Sequence, residues 1–173
     1  MTQIHHQGRF LIMQETDGWE YVTRRHRSDV VIIVAVTADN KLLMVEQYRI
    51  PIAANTVELP AGLVGDIPGQ SDEPLETAAR RELLEETGYQ ATSLELLHKG
   101  PTSSGLTDEM VAIYFATGLE QVHQGGGDDS EDITVHAIEL DQVPDWLNQQ
   151  QQSGKQLDPK LYAALYWLQA RAK

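Results

Sequence analysis

The chain contains no cysteine, which excludes a disulfide framework and any metal site built on thiolates. A protein without disulfides suits the reducing cytosol, and we therefore expect a cytoplasmic location. The six histidines include no pair at i and i+4, the spacing of two ligands on one helix. A zinc site is therefore disfavoured as well.

Long apolar runs are also missing. The longest, VVIIVAV at residues 30–36, is well short of the roughly 18 to 20 residues that cross a bilayer. The first ten residues, MTQIHHQGRF, lack the apolar stretch of a signal peptide. We therefore expect no membrane association, and 173 residues are enough for one globular domain with a substantial core.

Positive charge is scarce: 13 lysines and arginines face 26 acids, a net charge of -13. Proteins bind the phosphate backbone of a nucleic acid through clustered lysines and arginines, which this composition does not supply. We therefore expect no nucleic-acid partner. An anionic small molecule could still bind if divalent cations lie between it and the protein.

Apolar periodicity and turn residues predict a mixed α/β chain. One helix is expected from Pro74 to a glycine cap at Gly88, and another over residues 159–173. The segments at residues 29–37 and 42–50 are expected to pair as a β-hairpin. Further strands are predicted at two short segments within 9–23, at 56–59, and near 93–98, 110–117 and 133–139.

The first helix carries RRELLEETGY, residues 80–89, with three glutamates on one face. At about 100° per residue, Glu82, Glu85 and Glu86 span an arc of roughly 100°. Leu75 and Ala78 share that arc, so the acids continue an apolar stripe expected to be packed. Carboxylates at the edge of a core cost several kcal/mol unless they are paired or coordinate metal.

Two interpretations of these glutamates follow from helix geometry. Arg81 can neutralise one acid, either Glu85 or Glu73, and an exposed salt-bridged helix would need nothing more. Alternatively, the remaining carboxylates bind an oxygen-preferring divalent ion such as Mg²⁺ or Mn²⁺.

The spacing of the whole stretch resembles the signature box of the Nudix hydrolases, Gly-x5-Glu-x7-Arg-Glu-U-x-Glu-Glu-x-Gly-U, where U is bulky and apolar. The matching residues are Glu73, Arg81-Glu82-Leu83, Glu85-Glu86 and Gly88-Tyr89. The glycine of the box is expected six residues before Glu73, where this chain has Ile67, whereas Gly62 lies eleven before it. The difference indicates a five-residue insertion in the loop GLVGDIPGQSD.

The resemblance implies roles for these residues. Nudix hydrolases cleave a nucleoside diphosphate linked to another moiety, with water attacking phosphorus and two or more Mg²⁺ or Mn²⁺ ions holding the pyrophosphate. Glu82 and Glu86 would be the principal metal ligands, with Glu85 and the Ala61 carbonyl as further ligands. Arg81, paired with Glu73, would have a structural role, and Arg81 and Glu85 are both counted among the catalytic residues. A glycine at Gly62 would let the backbone approach the metal.

Further stretches resemble the ADP-ribose pyrophosphatase branch of that family: VELPAGLVGD, VEQYRI, SGLTDEM and DDSEDITVH. The resemblance covers roughly residues 27–168. In that branch an acid before the last strands acts as general base or as an additional metal ligand. Glu131 matches it best, with Asp129 as its companion. The alternative is that GGGDDSED is only a solvated loop, although its glycines could act as a hinge over substrate.

Substrate contacts are implied for four residues. Arg49 matches an arginine that contacts the diphosphate, although an arginine at a strand end could equally be an ion-pair partner. Arg27, or its neighbours Arg24 and Arg25, could reach a phosphate or ribose in the same or a neighbouring subunit. Glu109 could meet the ribose or assist the metal site, and Gly62 lies beside the expected ligands. Trp19 could stack on a base, but core or interface packing is the favoured interpretation.

Taken together, the resemblance implies a Nudix α/β/α sandwich with a mixed central sheet over residues 28–173 and a small N-terminal β-region over 1–27. The short N-terminal strands are too few to be stable alone, which favours a homodimer. The favoured function is hydrolysis of ADP-ribose or a related nucleoside diphosphate sugar. The alternatives are hydrolysis of dinucleoside polyphosphates or nucleoside triphosphates, and a non-catalytic nucleotide-sugar sensor.

Overall fold

A computed structural model describes residues 1–26, 29–67, 69, 71–127 and 131–171. Three helices occur in this part of the chain: Leu75–Thr87 (α1), Val143–Gln152 (α2) and Lys160–Arg171 (α3). The strands are Thr2–Gln7 (β1), Leu11–Thr16 (β2), Trp19–Arg24 (β3), Val30–Ala35 (β4), Lys41–Arg49 (β5), Ala54–Glu58 (β6), Ala61–Leu63 (β7), Tyr89–Pro101 (β8), Met110–Gln121 (β9), Thr134–Glu139 (β10) and Gln156–Leu157 (β11).

The strands form three sheets. The N-terminal sheet has the order β1-β2-β3 and is antiparallel throughout. The other two, β7-β4-β9-β8 and β10-β5-β6-β11, are mixed, because β4 runs parallel to β9 and β6 runs parallel to β11. The expected mixed α/β architecture is therefore confirmed.

Strand β4 explains how helices come to lie on both sides. Its side chains alternate between two cores, as they must in a strand buried on both faces. Val31 and Ile33 join the core that includes Leu83 of α1. Ile32 and Val34 join the core formed with α2 and α3 through Leu147 and Leu161. The continuous apolar run at residues 30–36 is what permits this α/β/α arrangement.

The predicted hairpin between residues 29–37 and 42–50 is wrong. Strands β4 and β5 belong to different sheets, and in the described part of the chain backbone pairing between the two segments is confined to the turn that joins them, through an isolated bridge from Val36 to Leu42 and a hydrogen bond from the Thr37 N–H to the Lys41 carbonyl. Both edges of β4 are already occupied, by β7 and β9, so no edge remains for β5. Strand β1 and helix α2, which contains the glutamine run, were not predicted.

The N-terminal sheet docks on the loop before β9 through β3. The Val22 N–H donates to the Leu106 carbonyl at 2.9 Å, and the Trp19 indole N–H donates to the Gly105 carbonyl at 3.1 Å. The Thr23 hydroxyl donates to Asp108 at 2.9 Å. Several large apolar side chains on this sheet nevertheless remain exposed: Ile4, Phe10, Leu11, Met13 and Trp19. Within the described ranges, no helix is long and apolar enough to cross a membrane.

Candidate active site

Helix α1 positions the three glutamates in its last two turns. It begins after Pro74 and ends at Gly88, whose φ of 77° is the left-handed conformation that suits glycine. A Cβ at Gly88 would lie 2.1 Å from the His123 carbonyl oxygen, so the position also lacks room for a side chain. The predicted end of the helix is confirmed.

The three glutamates differ in their surroundings. Glu82 and Glu86 are only 7% and 2% exposed, and both line a cavity of about 350 Å³. The Glu85 side chain is 46% exposed and contacts Arg81 at 3.1 Å. The sequence predicts all three glutamates on one face of the helix. In the structure Glu82 and Glu86 line the cavity, whereas the carboxylate of Glu85 lies outside it and is paired with Arg81.

The short strand β7 approaches α1 closely at this point. The Ala61 N–H donates to Glu86 Oε2 at 3.0 Å. A Cβ on Gly62 would lie 2.0 to 2.3 Å from the carboxylate atoms of Glu82, so no side chain fits there. Gly62 is therefore needed for the close approach of β7 to the Glu82 carboxylate, and the expected approach of this backbone to a metal stays a prediction.

Arg81 is the centre of an ion-pair network beside the cavity. Its guanidinium makes a bidentate contact with Glu73, with both N–O distances 3.0 Å. It also contacts Glu82 at 2.7 Å and Asp66 at 3.0 Å. Burial opposes its charge, but the contacts with Glu73 and the neighbouring acids raise the pKa of Arg81 above its ordinary value. Arg81 thus fixes the acids rather than facing the cavity, and both predicted partners, Glu73 and Glu85, are found.

Burial perturbs the two cavity carboxylates. It raises the pKa of Glu82 to about 7, despite the opposing effect of Arg81. Burial likewise raises the pKa of Glu86 well above its ordinary value, and the nearby Glu82 and Glu131 add to the effect. Two buried carboxylates with the carboxylates of Asp66 and Glu131 on the same cavity wall supply the oxygen ligands that Mg²⁺ or Mn²⁺ prefers. The residues present therefore fit a divalent cation.

The loop after β9 is fastened to the end of α1. The Gly126 N–H donates to the Glu86 carbonyl at 2.9 Å, and the Gly127 N–H donates to the Glu85 carbonyl at 3.1 Å. The Ile133 N–H in turn donates to the Gly126 carbonyl at 3.3 Å. Glu131, between these anchors, lines the same cavity as Glu82 and Glu86. The glycines therefore anchor the base of this loop to the helix that carries the acids.

A second cavity, of about 260 Å³, adjoins the first and shares Arg24, Val30, Arg49 and Ala61 with it. Arg49 makes a bidentate contact with Glu58, at 2.7 and 2.6 Å. Arg24 contacts Glu109 at 2.6 to 2.7 Å. Glu109 lines this second cavity and not the one that holds the box glutamates. The ion-pair interpretation of Arg49 is therefore confirmed, and its contact with a diphosphate stays a prediction.

A family model of the NUDIX domain matches residues 25–163, most of the chain. The chain belongs to the Nudix family. The resemblance seen in residues 73–89 is therefore confirmed.

Several relatives support this assignment. The chain is 34% identical over 140 residues to a methanol dehydrogenase activator of Bacillus methanolicus, covering 80% of this chain and 71% of that protein. It is 37% identical over 112 residues to an ADP-ribose pyrophosphatase of Bacillus subtilis, covering 64% of this chain and 58% of that one. Against an ADP-ribose pyrophosphatase of Mycobacterium tuberculosis the identity is 44% over 92 residues, covering 53% and 42%. The chain thus spans less than two thirds of the two pyrophosphatases.

A solved structure of an ADP compounds hydrolase shares the fold. It superimposes with a TM-score of 0.73 and covers 99% of this chain and 93% of that one. The sequence identity is 22%, so this likeness concerns the fold alone.

Two cavity residues of this Nudix domain were missed by sequence reasoning. Asp66 lies in the enlarged loop between β7 and α1 and lines the cavity of the box glutamates, as does Gln47 of β5. The sequence shows Asp66 only as an acid in the enlarged loop, where the inserted residues prevent a match to a position of the Nudix box. Arg27 and Asp129, both named from the sequence, lie outside the described residues.

One further group of possible ligands lies away from the Nudix box. His5, Glu15 and Glu20 place three ligand atoms within 4.8 Å of one another on the N-terminal sheet. They come from three adjacent strands, so no short spacing in the sequence indicates that they lie together. His5 and Glu15 already form a contact of 3.0 Å, as cross-strand neighbours commonly do.

Proposed function

We propose that this chain hydrolyses the pyrophosphate bond of ADP-ribose or a related nucleoside diphosphate sugar, giving a nucleoside monophosphate and a sugar phosphate. The observation that carries the proposal is the cavity in which buried Glu82 and Glu86 face Arg49. The carboxylates suit divalent cations, and the arginine suits a diphosphate. The names of the pyrophosphatase relatives point to the same substrate class.

Glu82, Glu86 and the Ala61 carbonyl would hold two or more Mg²⁺ or Mn²⁺ ions, and Glu85 would join them by releasing Arg81. When bound, such ions neutralise the diphosphate, polarise the attacked phosphorus and lower the pKa of a bound water. Asp66, on the same cavity wall, is a further oxygen donor.

The remaining residues position substrate and water. Glu131 orients the attacking water and accepts its proton, since it lines the cavity without belonging to the buried box. Arg49 contacts the diphosphate, and its pair with Glu58 holds the guanidinium at the junction of the two cavities. Arg81 keeps the acids in place through Glu73.

A substrate panel with Mg²⁺ tests this proposal. We expect ADP-ribose and other nucleoside diphosphate sugars to be cleaved faster than dinucleoside polyphosphates and nucleoside triphosphates, with AMP and ribose 5-phosphate identified by mass as products of ADP-ribose. EDTA should abolish the reaction. Preference for triphosphates would assign the chain to the first alternative, and binding of ADP-ribose without turnover would indicate a sensor. A cytoplasmic location is part of the proposal.

The proposal includes a homodimer formed through the N-terminal sheet. Exposed Phe10 and Met13 lie on β2 or directly before it, and burying such side chains is favourable. We expect sedimentation to give a dimer at micromolar concentration and Phe10→Glu to weaken it. Tyr166→Glu, on α3, alters an apolar side chain of similar exposure, 66% against 64%, and should leave association unchanged. A monomeric wild-type chain would contradict this part of the proposal.

A further inference from the structure

The second cavity is lined by three pairs of oppositely charged side chains. These are Arg24 with Glu109 at 2.6 Å, Arg49 with Glu58 at 2.6 Å, and Lys160 with Asp158 at 2.5 Å. Its other walls are mostly apolar, and none of the described residues that line it is aromatic. Each cation has a carboxylate beside it, so the charged side chains that line this cavity sum to zero.

The third pair is built into the backbone. Strand β11 runs parallel to β6 with Leu157 opposite Val57, and the next residue, Asp158, donates its N–H to the Val57 carbonyl at 3.0 Å. This pairing brings Asp158 beside Glu58. Asp158 Oδ1 accepts the Lys160 N–H at 2.8 Å at the start of α3, while Oδ2 contacts the Lys160 ammonium. Asp158 is therefore held by both a strand and a helix.

The arrangement suits the hydroxyl groups of a sugar. A hydroxyl both donates and accepts, so it can donate to a carboxylate and accept from the adjacent ammonium or guanidinium. A nucleobase would instead favour an aromatic surface on which to stack. Since the two cavities share Arg49 and Ala61, a group attached to a diphosphate in the first cavity can extend into the second.

Lys160 and Asp158 also mark the far end of this space. Both line a third cavity, of about 270 Å³, which continues past Thr102 towards His98. The pair therefore lies between the space nearest the diphosphate and the space beyond, where it can distinguish sugars by their size and by the position of their hydroxyls.

We propose that the second cavity binds the sugar of the leaving sugar phosphate, and that the Lys160–Asp158 pair is a specificity determinant for that sugar. This rests on the proposed hydrolase function. Direct contact with hydroxyls predicts a loss of selectivity for sugar-bearing substrates, whereas a purely structural cap of α3 predicts equal losses for every substrate.

The test compares ADP-ribose with the methyl ester of ADP, which keeps the nucleoside and diphosphate but has no sugar on the second phosphate. Lys160→Met removes the ammonium, and Asp158→Asn removes the charge while keeping a good N-cap residue. We expect either change to lower the ratio of kcat/KM for ADP-ribose to that for the methyl ester by about 10- to 100-fold, the effect of losing a hydrogen bond to a charged group. Lys160→Arg should restore most of the ratio.

Lys99→Met is the matched control. Lys99 contacts Asp29 at 2.5 Å, and its side chain is 40% exposed, as is that of Lys160, but it lines neither cavity. Its ratio should equal that of the wild type. An unchanged ratio in Lys160→Met and Asp158→Asn would overturn the proposal, as would equal losses on both substrates. Thermal unfolding separates those outcomes from misfolding.

If the wild type cleaves neither compound, the proposed function fails, and calorimetric titration with ribose 5-phosphate then decides the cavity separately. Binding by the wild type that is lost in Lys160→Met would support the sugar site. Equal binding by both proteins, or binding by neither, would overturn it.

Discussion

Glu86→Gln is expected to lower kcat for ADP-ribose hydrolysis by about 10²-fold or more at saturating Mg²⁺. Glu86 is the most buried of the three box glutamates and receives a hydrogen bond from the Ala61 N–H. Glutamine keeps the size of the side chain but removes the negative charge that a divalent cation needs. Steady-state kinetics at several Mg²⁺ concentrations would measure the effect.

Glu76→Gln provides the control, because Glu76 lies on the same helix but pairs with Arg80 on its exposed side. This variant should keep wild-type rates. A near-normal kcat for Glu86→Gln at saturating Mg²⁺ would show that Glu86 is not a principal ligand. Equal losses in both variants would point to damage of the helix instead.

The thermal stability of the wild type and of Glu86→Gln, measured with and without Mg²⁺, should distinguish loss of a metal ligand from loss of the fold. The folded pKa of Glu82, about 7, is above its ordinary value of 4.5. Its protonation therefore stabilises the metal-free fold at low pH, and that stabilisation is lost as the pH rises through about 7. Mg²⁺ replaces the proton, so it should raise Tm more at pH 8 than at pH 6. At a hundredfold excess of Mg²⁺ over its Kd, the free energy of unfolding rises by about 2.7 kcal/mol. Each kcal/mol raises Tm by roughly 2 to 4 °C in a chain of this size. Glu86→Gln should show a much smaller rise.

Glu131→Gln is expected to lower kcat by about 10² to 10⁴, the usual contribution of a general base, while KM stays within a few-fold. Carboxylates shared with a cation are poor bases, so a group outside the buried box has to orient or deprotonate the water. Glu131 lines the same cavity and lies between backbone anchors at Gly127 and Ile133. Steady-state kinetics with ADP-ribose at saturating Mg²⁺ would measure both constants.

Asp132→Asn is the neighbouring control and should change neither constant appreciably. Glu109→Gln is informative in a different way, because Glu109 lies in the second cavity beside Arg24. If Glu131→Gln keeps its rate and Glu109→Gln or Asp129→Asn loses it, the base is a different acid. If none of the three matters, the metal alone activates the water.

The features that local sequence could predict were those set by short-range geometry. Helix α1 and its end at Gly88 follow from periodicity and from the need for a residue that tolerates positive φ. The placement of Glu82 and Glu86 at the edge of the core follows from the same helical repeat. Their role as metal ligands stays a prediction: helix geometry leaves it open against an ion-paired helix, and the resemblance to the Nudix box favours it.

The features that could not be predicted depend on which distant segments meet. The apolar runs of β4 and β5 are compatible with a hairpin, and only the occupation of both edges of β4 by β7 and β9 excludes it. Asp158 reaches the second cavity because β11 pairs with β6, a contact between residues about 100 apart in the chain. Asp66 was hidden by an insertion that changes the spacing of its loop.

The three glutamates lie at the C-terminal end of α1. The peptide dipoles of a helix leave partial negative charge at its C-terminal end, where cations are favoured and anions are not. Glu82, Glu85 and Glu86 all lie in the last six residues of α1, and no basic residue occupies its last turn. The helix thus holds its acids against its own macrodipole, at about 0.3 to 1 kcal/mol for an exposed charge such as that of Glu85. A divalent cation bound by these acids would reverse the sign of that interaction, so the helix backbone itself would add to metal affinity. The amides of Gly126 and Gly127 would reduce this effect, because they already bond two of the terminal carbonyls.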